Sequence, residues 1–144
     1  MRSAVRGFTL IEAMTVLAIA GALSAVALPS FDGQVRKTRR ADAHAAIAQI
    51  ESAQERLRSL GSRYGDLGEL GVSAVSSGGH YALQAVSFDA DGYEVRALAI
   101  GVQTNDAECR YLSVRAVGMN LSRLSGSDTT LANTDAANRR CWSV

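Results

Sequence analysis

Few residues of this chain have the types and spacing that catalysis or metal binding requires. The two histidines, His44 and His80, stand far apart in the sequence and have no obvious partner set. Asp89, Asp91 and Glu94 supply carboxylates, but two Asp residues beside a glycine are more typical of a hairpin turn than of a calcium site. Motifs of the HExxH, GxSxG, CxxC and phosphate-loop types do not occur. We therefore expect no metal, no cofactor and no enzymatic activity.

The size and charge of the chain exclude several other classes of function. With 144 residues it is expected to form one small domain. Lys and Arg number 15 and Asp and Glu 14, so the formal net charge is +1. A protein that binds nucleic acid through its overall charge is excluded, and any electrostatic binding must be local.

The most unusual segment is an apolar run from Phe8 to Leu28, in which Glu12 is the only ionisable residue. As a helix it would be about 31 Å long, which matches the hydrocarbon core of a bilayer. This run has three interpretations: a secretory signal, a plain membrane anchor, or a helix used for assembly. Ala25, Val26 and Ala27 form a signal-cleavage pattern, but the run is longer than an ordinary signal, and a carboxylate inside hydrocarbon costs roughly 2.5 to 3.5 kcal/mol.

The residues from Gly7 to Glu12 resemble the processing signature of type IV prepilins and of the related secretion pseudopilins. A short basic leader ends in Gly7, Phe8 follows, Glu12 is the fifth residue of the apolar run, and Pro29 closes it. The resemblance implies that a prepilin peptidase cuts after Gly7 and that the new amine of Phe8 is methylated. It also implies a leader at 1–7, a transmembrane and filament-core helix at 8–28, and other pilin subunits as partners.

Cleavage after Gly7 would place an ammonium four residues before Glu12, so the two groups of neighbouring subunits can meet in an apolar filament core. Such a pair acts mainly as a register device, because desolvation offsets most of its Coulomb energy. The resemblance further implies an inner-membrane assembly platform as partner. It implies a single-pass topology with the N-terminus in the cytoplasm, the head in the periplasm and an extracellular pilus after assembly. A count of basic residues on the two flanks of the run favours the opposite orientation.

The segment 29–60 is predicted to continue as an amphipathic helix, since it ends at Gly61 and has an apolar stripe with spacings of three and four. The stripe is made of Ala43, Ala46, Ile47, Ile50, Ala53, Leu57 and Leu60. Pro29 and Gly33 are the expected sites of a kink or of local melting. Residues 61–79 contain six glycines and are predicted to form a loop.

The remainder of the chain, 61–144, is predicted to be a β head. Strands are expected at 81–88, 93–102, 109–117 and 119–124, with a turn at 89–92. The helical stripe and the apolar face of this sheet would pack together. The fold class is therefore α+β, which the resemblance narrows to the type IV pilin fold: a long N-terminal helix on a four-stranded antiparallel sheet, with a C-terminal loop bounded by a disulfide.

Cys109 and Cys141 are the only cysteines, and an even count in an exported domain favours a bridge between them. Two reduced thiols are the alternative. A bridge would imply an oxidising compartment, which supports an external head. The resemblance implies the same bridge, with residues 125–140 as the exposed loop within the bounded region 109–141.

Five arginines in or near this region are a candidate nucleic-acid patch, although residues 61–144 carry two more acidic than basic side chains. They are Arg110, Arg115, Arg123, Arg139 and Arg140. A second basic cluster, Arg36 to Arg40, follows the apolar run. It can face solvent, anionic lipid headgroups or, after assembly, acidic groups of neighbouring subunits.

A minor pilin of a type IV pilus is the leading hypothesis. The alternatives are a type II secretion pseudopilin, a DNA-binding competence pilin and a plain anchored or secreted protein.

Overall fold

The N-terminal element of the fold is one helix, α1, which spans Leu10–Gly61 over 52 residues. The computed structural model describes residues 8–61, 63–88 and 90–143, without the side chains of 26–30, 87 and 88. Thr9 caps the helix, since its hydroxyl accepts the N–H of Glu12 (3.3 Å) and its carbonyl accepts the N–H of Ala13 (3.1 Å). The chain divides into two compact units, Met1–Val35 and Arg36–Val144.

The first unit contains the apolar half of α1. Every described side chain from Phe8 to Ala25 is exposed, with Leu10 at 81% and Leu17 at 71% of full exposure. Within the described residues, no helix combines the length and apolar character that crossing a membrane requires.

The second unit contains the remainder of α1, whose buried face supplies one side of the core. Ala43, Ile47 and Ile50 are almost fully buried, as the apolar stripe predicts. The prediction is wrong for the last residue of the stripe, because Leu60 is 83% exposed. Leu60 lies outside the buried core and lines an open cavity with Leu57 and Leu70.

The other side of the core is an antiparallel sheet of four strands in the order β1-β2-β3-β4. The strands are β1 (Tyr81–Phe88), β2 (Gly92–Ala99), β3 (Tyr111–Val117) and β4 (Asn120–Gly126). The prediction of a four-stranded antiparallel sheet against a long helix is confirmed. Two short 3-10 helices, Gly101–Asn105 and Ala107–Cys109, replace the ends predicted for the second and third strands.

Alternation along the strands sorts the side chains onto two faces. Val95 pairs with Val114 across β2 and β3, and both are fully buried against α1. Their neighbours Glu94 and Arg115 also pair, on the outer face. The pairing register therefore decides which charged side chains share a surface.

The loop between α1 and β1 is tied to the helix at both ends. Near its start, the buried Gln54 amide forms two hydrogen bonds with the backbone of Gly65, at 2.8 and 2.9 Å. Near its end, the Asp42 carboxylate accepts hydrogen bonds from the Ser76 hydroxyl at 2.6 Å and the Gly78 N–H at 2.9 Å. The glycine-rich composition predicts the loop, but not these anchors.

The C-terminal segment lies along β4, an edge strand of the sheet. The loop prediction for residues 125–140 missed a second helix, α2 (Asp135–Trp142), whose N-cap is Thr134. Side chains of α2 satisfy carbonyls of the edge: Asn138 donates to the Arg123 carbonyl at 2.8 Å, and the Trp142 indole donates to the Leu124 carbonyl at 3.3 Å. The edge of β4 is thus partly covered from within the chain.

Candidate functional site

The processing motif lies at the start of the described residues. Phe8 is 84% exposed, and Glu12 is exposed in the first turn of α1, where a carboxylate interacts favourably with the helix dipole. Gly7 and the leader lie outside the described residues. The cleavage after Gly7, the methylation of Phe8 and the register role of Glu12 stay predictions.

Pro29 and Gly33, the predicted kink positions, lie within the span of α1. The described backbone is helical on both sides of each of them, so local melting does not accompany them. A change in the direction of the helix there stays a prediction.

Cys109 and Cys141 form a disulfide, with the sulfurs 2.00 Å apart and the Cα atoms 5.4 Å apart. Both residues are buried, at 1% and 0% exposure. The bond joins the 3-10 turn before β3 to α2, so it holds the C-terminal helix against the sheet and α1. The predicted bridge is confirmed.

Arg40 connects α1 to the same region. Its guanidinium binds both carboxylate oxygens of Asp106, at 2.6 and 2.8 Å, and donates to the Arg140 carbonyl of α2 at 2.9 Å. The hydrogen bond to Asp106 raises the pKa of Arg40 above its usual value, so the guanidinium keeps its charge. This arginine belongs to the basic cluster 36–40 in the sequence, but the fold uses it as a structural contact.

The five arginines of the predicted patch do not form one surface. Arg115 lies on the outer face of the sheet, 3.8 Å from Glu94, a carboxylate that Arg96 binds at 2.7 Å. Arg123 follows Ser122, the partner of Arg115 in the register, so its side chain points to the opposite face.

The other three arginines of the predicted patch also have different surroundings. Arg110 donates to the Thr104 carbonyl at 2.7 Å, and Arg140 forms an exposed ion pair with Glu108 at 3.0 Å. Arg139 is exposed three residues before Trp142 on α2, and this spacing places the two on neighbouring positions of one helix face. Arg123 and Arg139 are therefore the two patch members that flank Trp142.

Trp142 is the centre of a small aromatic and charged cluster. Its ring stacks on His44 with the centroids 5.0 Å apart, and the Arg123 guanidinium lies over it at 5.6 Å. A cation at this distance from an indole face is attracted by the ring quadrupole. The sequence indicates that Trp142 packs on the sheet edge, but the pairing with His44 depends on how α2 folds back onto α1.

A cavity of about 210 Å³ opens beside this cluster, between α1, β3, β4 and α2. His44 Nε2 and Glu51 Oε1 are buried there without hydrogen-bond partners among the described residues. Burial lowers the pKa of His44, and the charges of Arg123 and Arg40 lower it further. Burial raises the pKa of Glu51, against the effect of Arg123.

Across the described residues, no group of three or more His, Cys, Asp or Glu side chains is arranged to hold a metal ion. Asp89 of the hairpin turn lies outside the described residues. Glu94, the third carboxylate near that turn, is engaged by Arg96 and by the Ser113 hydroxyl at 3.0 Å.

Comparison with known families gives two matches. Residues 29–113, more than half of the chain, match the family model described as type IV minor pilin ComP, DNA uptake sequence receptor. Residues 2–28 match the model of the prokaryotic N-terminal methylation motif. The two matches adjoin, so together they cover the motif, α1, the loop and most of the sheet.

Individual relatives include pilins and secretion proteins. The type IV major pilin protein PilA of Myxococcus xanthus is 38% identical over 95 residues, which is 65% of this chain and 42% of that protein. The type II secretion system core protein G of Pectobacterium carotovorum is 33% identical over 61% of this chain and 56% of its own length. The same core protein of Klebsiella michiganensis is 33% identical over 64% of each. The matches thus span between 42% and 64% of these relatives.

Proposed function

Because the chain belongs to the type IV minor pilin family, we propose that it is a structural, non-catalytic subunit of a type IV pilus. In this proposal the prepilin is stored in the inner membrane through 8–28, with the leader in the cytoplasm and the head in the periplasm. A prepilin peptidase removes residues 1–7 and Phe8 is methylated. An inner-membrane platform then transfers the subunit into the filament beside other pilins.

The observation that carries the proposal is the exposure of the first half of α1. Its described apolar side chains, Phe8 to Ala25, are exposed and are not covered by any other described part of the chain. A helix that is apolar on all sides requires an apolar environment, which lipid and a bundle of identical helices both supply. Since both environments are apolar, transfer between them changes little hydrophobic free energy, which suits a subunit that must leave the membrane.

The test is intact mass and N-terminal sequencing of the protein from its native membrane, with and without reductant. The expected chain starts at Phe8, is one methyl group heavier than the unmodified chain, and gains two hydrogens on reduction. A host that lacks prepilin peptidase is the control and should retain Met1. A chain that starts at Met1 when the peptidase is active, or at Leu28, would overturn the proposal.

A DNA receptor within the pilus is a second candidate, favoured by the description of the matching family as a DNA uptake sequence receptor. Arg123 and Arg139, which flank Trp142, supply cations beside an aromatic ring, and such surfaces bind phosphates and bases. Arg115 faces the other side of the sheet, so its substitution is a control for the loss of an arginine away from this surface.

We expect R123Q/R139Q to weaken duplex binding and to reduce the salt slope by about one to two phosphate contacts, with R115Q unchanged. Equal losses from the two variants would reject this surface. Unmeasurable binding of duplex DNA by the unsubstituted chain would reject the receptor itself.

A type II secretion pseudopilin is the third candidate, favoured by the identity with the two core proteins G. The Cys109–Cys141 bridge weighs on the side of a pilus. Cofractionation of the native protein with sheared pili or with a secretion complex distinguishes the two filaments.

A further inference from the structure

The second unit of the molecule begins with a group of half-exposed cations on α1. Arg36, Lys37 and Arg39 are half-exposed on α1, and none of them forms an ion pair among the residues that the structure describes. Arg40, at the end of the same stretch, is engaged by Asp106 and by the Arg140 carbonyl.

The contact made by Arg40 brings α2 to this place. Since the carbonyl of Arg140 accepts from Arg40, the end of α2 lies beside this stretch of α1. We call the three residues Arg36, Lys37 and Arg39 the basal cluster.

The acidic side chains nearby are mostly engaged. Asp106 binds Arg40, Glu108 binds Arg140, and Asp42 is held by the loop at 76–80. Asp42 still carries its charge, because its hydrogen-bond donors are neutral. The three cations outnumber this carboxylate, so the basal cluster keeps a net positive charge, which anionic phosphates at a surface would attract.

The position of the basal cluster along the chain indicates which phosphate-bearing surface it would meet. Arg36 follows Leu28 by eight residues, about 12 Å along a helix, which is within reach of the headgroup layer of a membrane that holds 8–28. We propose that the basal cluster binds the phosphates of anionic phospholipids while the subunit is stored in the membrane. The inference rests on the membrane insertion proposed above.

The lone tryptophan makes the contact measurable. Trp142 is the only tryptophan of the chain, and it lies on α2 three residues after Arg139. The full chain is reconstituted in phosphatidylcholine nanodiscs and in nanodiscs that also contain phosphatidylglycerol, each with a trace of nitroxide-headgroup lipid. Quenching of Trp142 fluorescence then reports how close α2 comes to the headgroups.

We expect quenching about twofold stronger in the anionic discs, with the difference decreasing as salt is added. R39E should abolish the difference. R56E is the matched control, since Arg56 lies on the same helix, is exposed, and undergoes the same change of charge away from the basal cluster. It should keep the difference.

Equal quenching in the two lipids, or an equal loss in R39E and R56E, would overturn the basal cluster as a lipid site while membrane insertion stands. A chain that enters neither kind of disc would overturn the insertion proposal and this inference together. If R39E weakens duplex DNA binding and leaves the lipid-dependent quenching unchanged, the cluster is a nucleic-acid contact and the lipid assignment is wrong.

Discussion

At the scale of single residues, Asp42 holds the end of the loop between α1 and β1. Its carboxylate accepts hydrogen bonds from Ser76 and Gly78 (2.6 and 2.9 Å). We expect D42A to lower the free energy of unfolding by about 2 kcal/mol, because donors of the loop lose their acceptor. Urea unfolding is the measurement and E55A, an exposed carboxylate on the same helix, the control. Similar midpoints for both variants would contradict the anchoring role.

The Asp42 carboxylate also predicts how the stability of the fold changes in acid. Burial raises the pKa of Asp42, but the hydrogen bonds from Ser76, Gly78 and His80 outweigh burial and hold it below 3.8. A lowered pKa in the folded state stabilises the fold above the unfolded pKa, and this contribution is lost as the pH falls through the folded pKa. The stability difference between the unsubstituted chain and D42A should therefore shrink in acid.

His44 titrates nearer to neutrality. Burial lowers its pKa below 6.5, with further lowering from Arg123 and Arg40, so the folded state binds the proton less tightly than the unfolded state. Stability should decrease as the pH falls from about 7.5 to about 5.5. Chemical unfolding across this range should show the decrease in the unsubstituted chain and in H80Q, but a flatter profile in H44Q. An unchanged profile in H44Q would assign the dependence to another group.

At the scale of elements, the sequence predicts the regular strands well and the C-terminal helix poorly. The bounds expected for β1 are those observed, because β-rich residues there end at an Asp-rich turn. The sequence does not predict α2, because the helix has only eight residues and half of them are polar. Its signals are the Thr134 cap, Asp135 in the first turn and Arg139 and Arg140 in the last turn, a charge order that suits the helix dipole.

The disulfide attaches α2 covalently to the 3-10 turn before β3. Reduction, or C109S/C141S, should lower the free energy of unfolding by about 3 to 4 kcal/mol, because the open chain regains the entropy of a loop of about 33 residues. Urea unfolding with and without reductant measures the effect. The double-serine variant is the control, since reductant should not change its midpoint. An unsubstituted chain insensitive to reductant would show that noncovalent contacts alone hold α2.

At the scale of the whole molecule, the five-arginine patch shows what a sequence cannot decide. Arg115 and Arg123 are close along the chain, yet the β3–β4 register places them on opposite faces. Trp142 and His44 are far apart along the chain, yet their rings stack. Composition and motifs predict the fold class and the family, whereas the grouping of surface charges depends on strand register and on the return of α2 to α1.

Glu12 provides a prediction that belongs to the assembled filament. In E12Q we expect normal membrane storage and cleavage after Gly7, but at least about tenfold less subunit in sheared filaments, because the carboxylate no longer pairs with the amine of a neighbour. Quantitative immunoblots of membrane and sheared fractions measure this. D32N removes another carboxylate from the first unit and should assemble normally. Normal assembly of E12Q would contradict the register role.

The cover that α2 provides along β4 has a consequence for the life of the protein before assembly. An open strand edge templates pairing with other chains, and subunits stored at high density would aggregate through it. Since Asn138 and Trp142 occupy carbonyls of β4 and the disulfide retains them there, a subunit whose cysteines are not yet oxidised has a less protected edge. Oxidation of Cys109 and Cys141 would then limit the pairing of this edge with other chains.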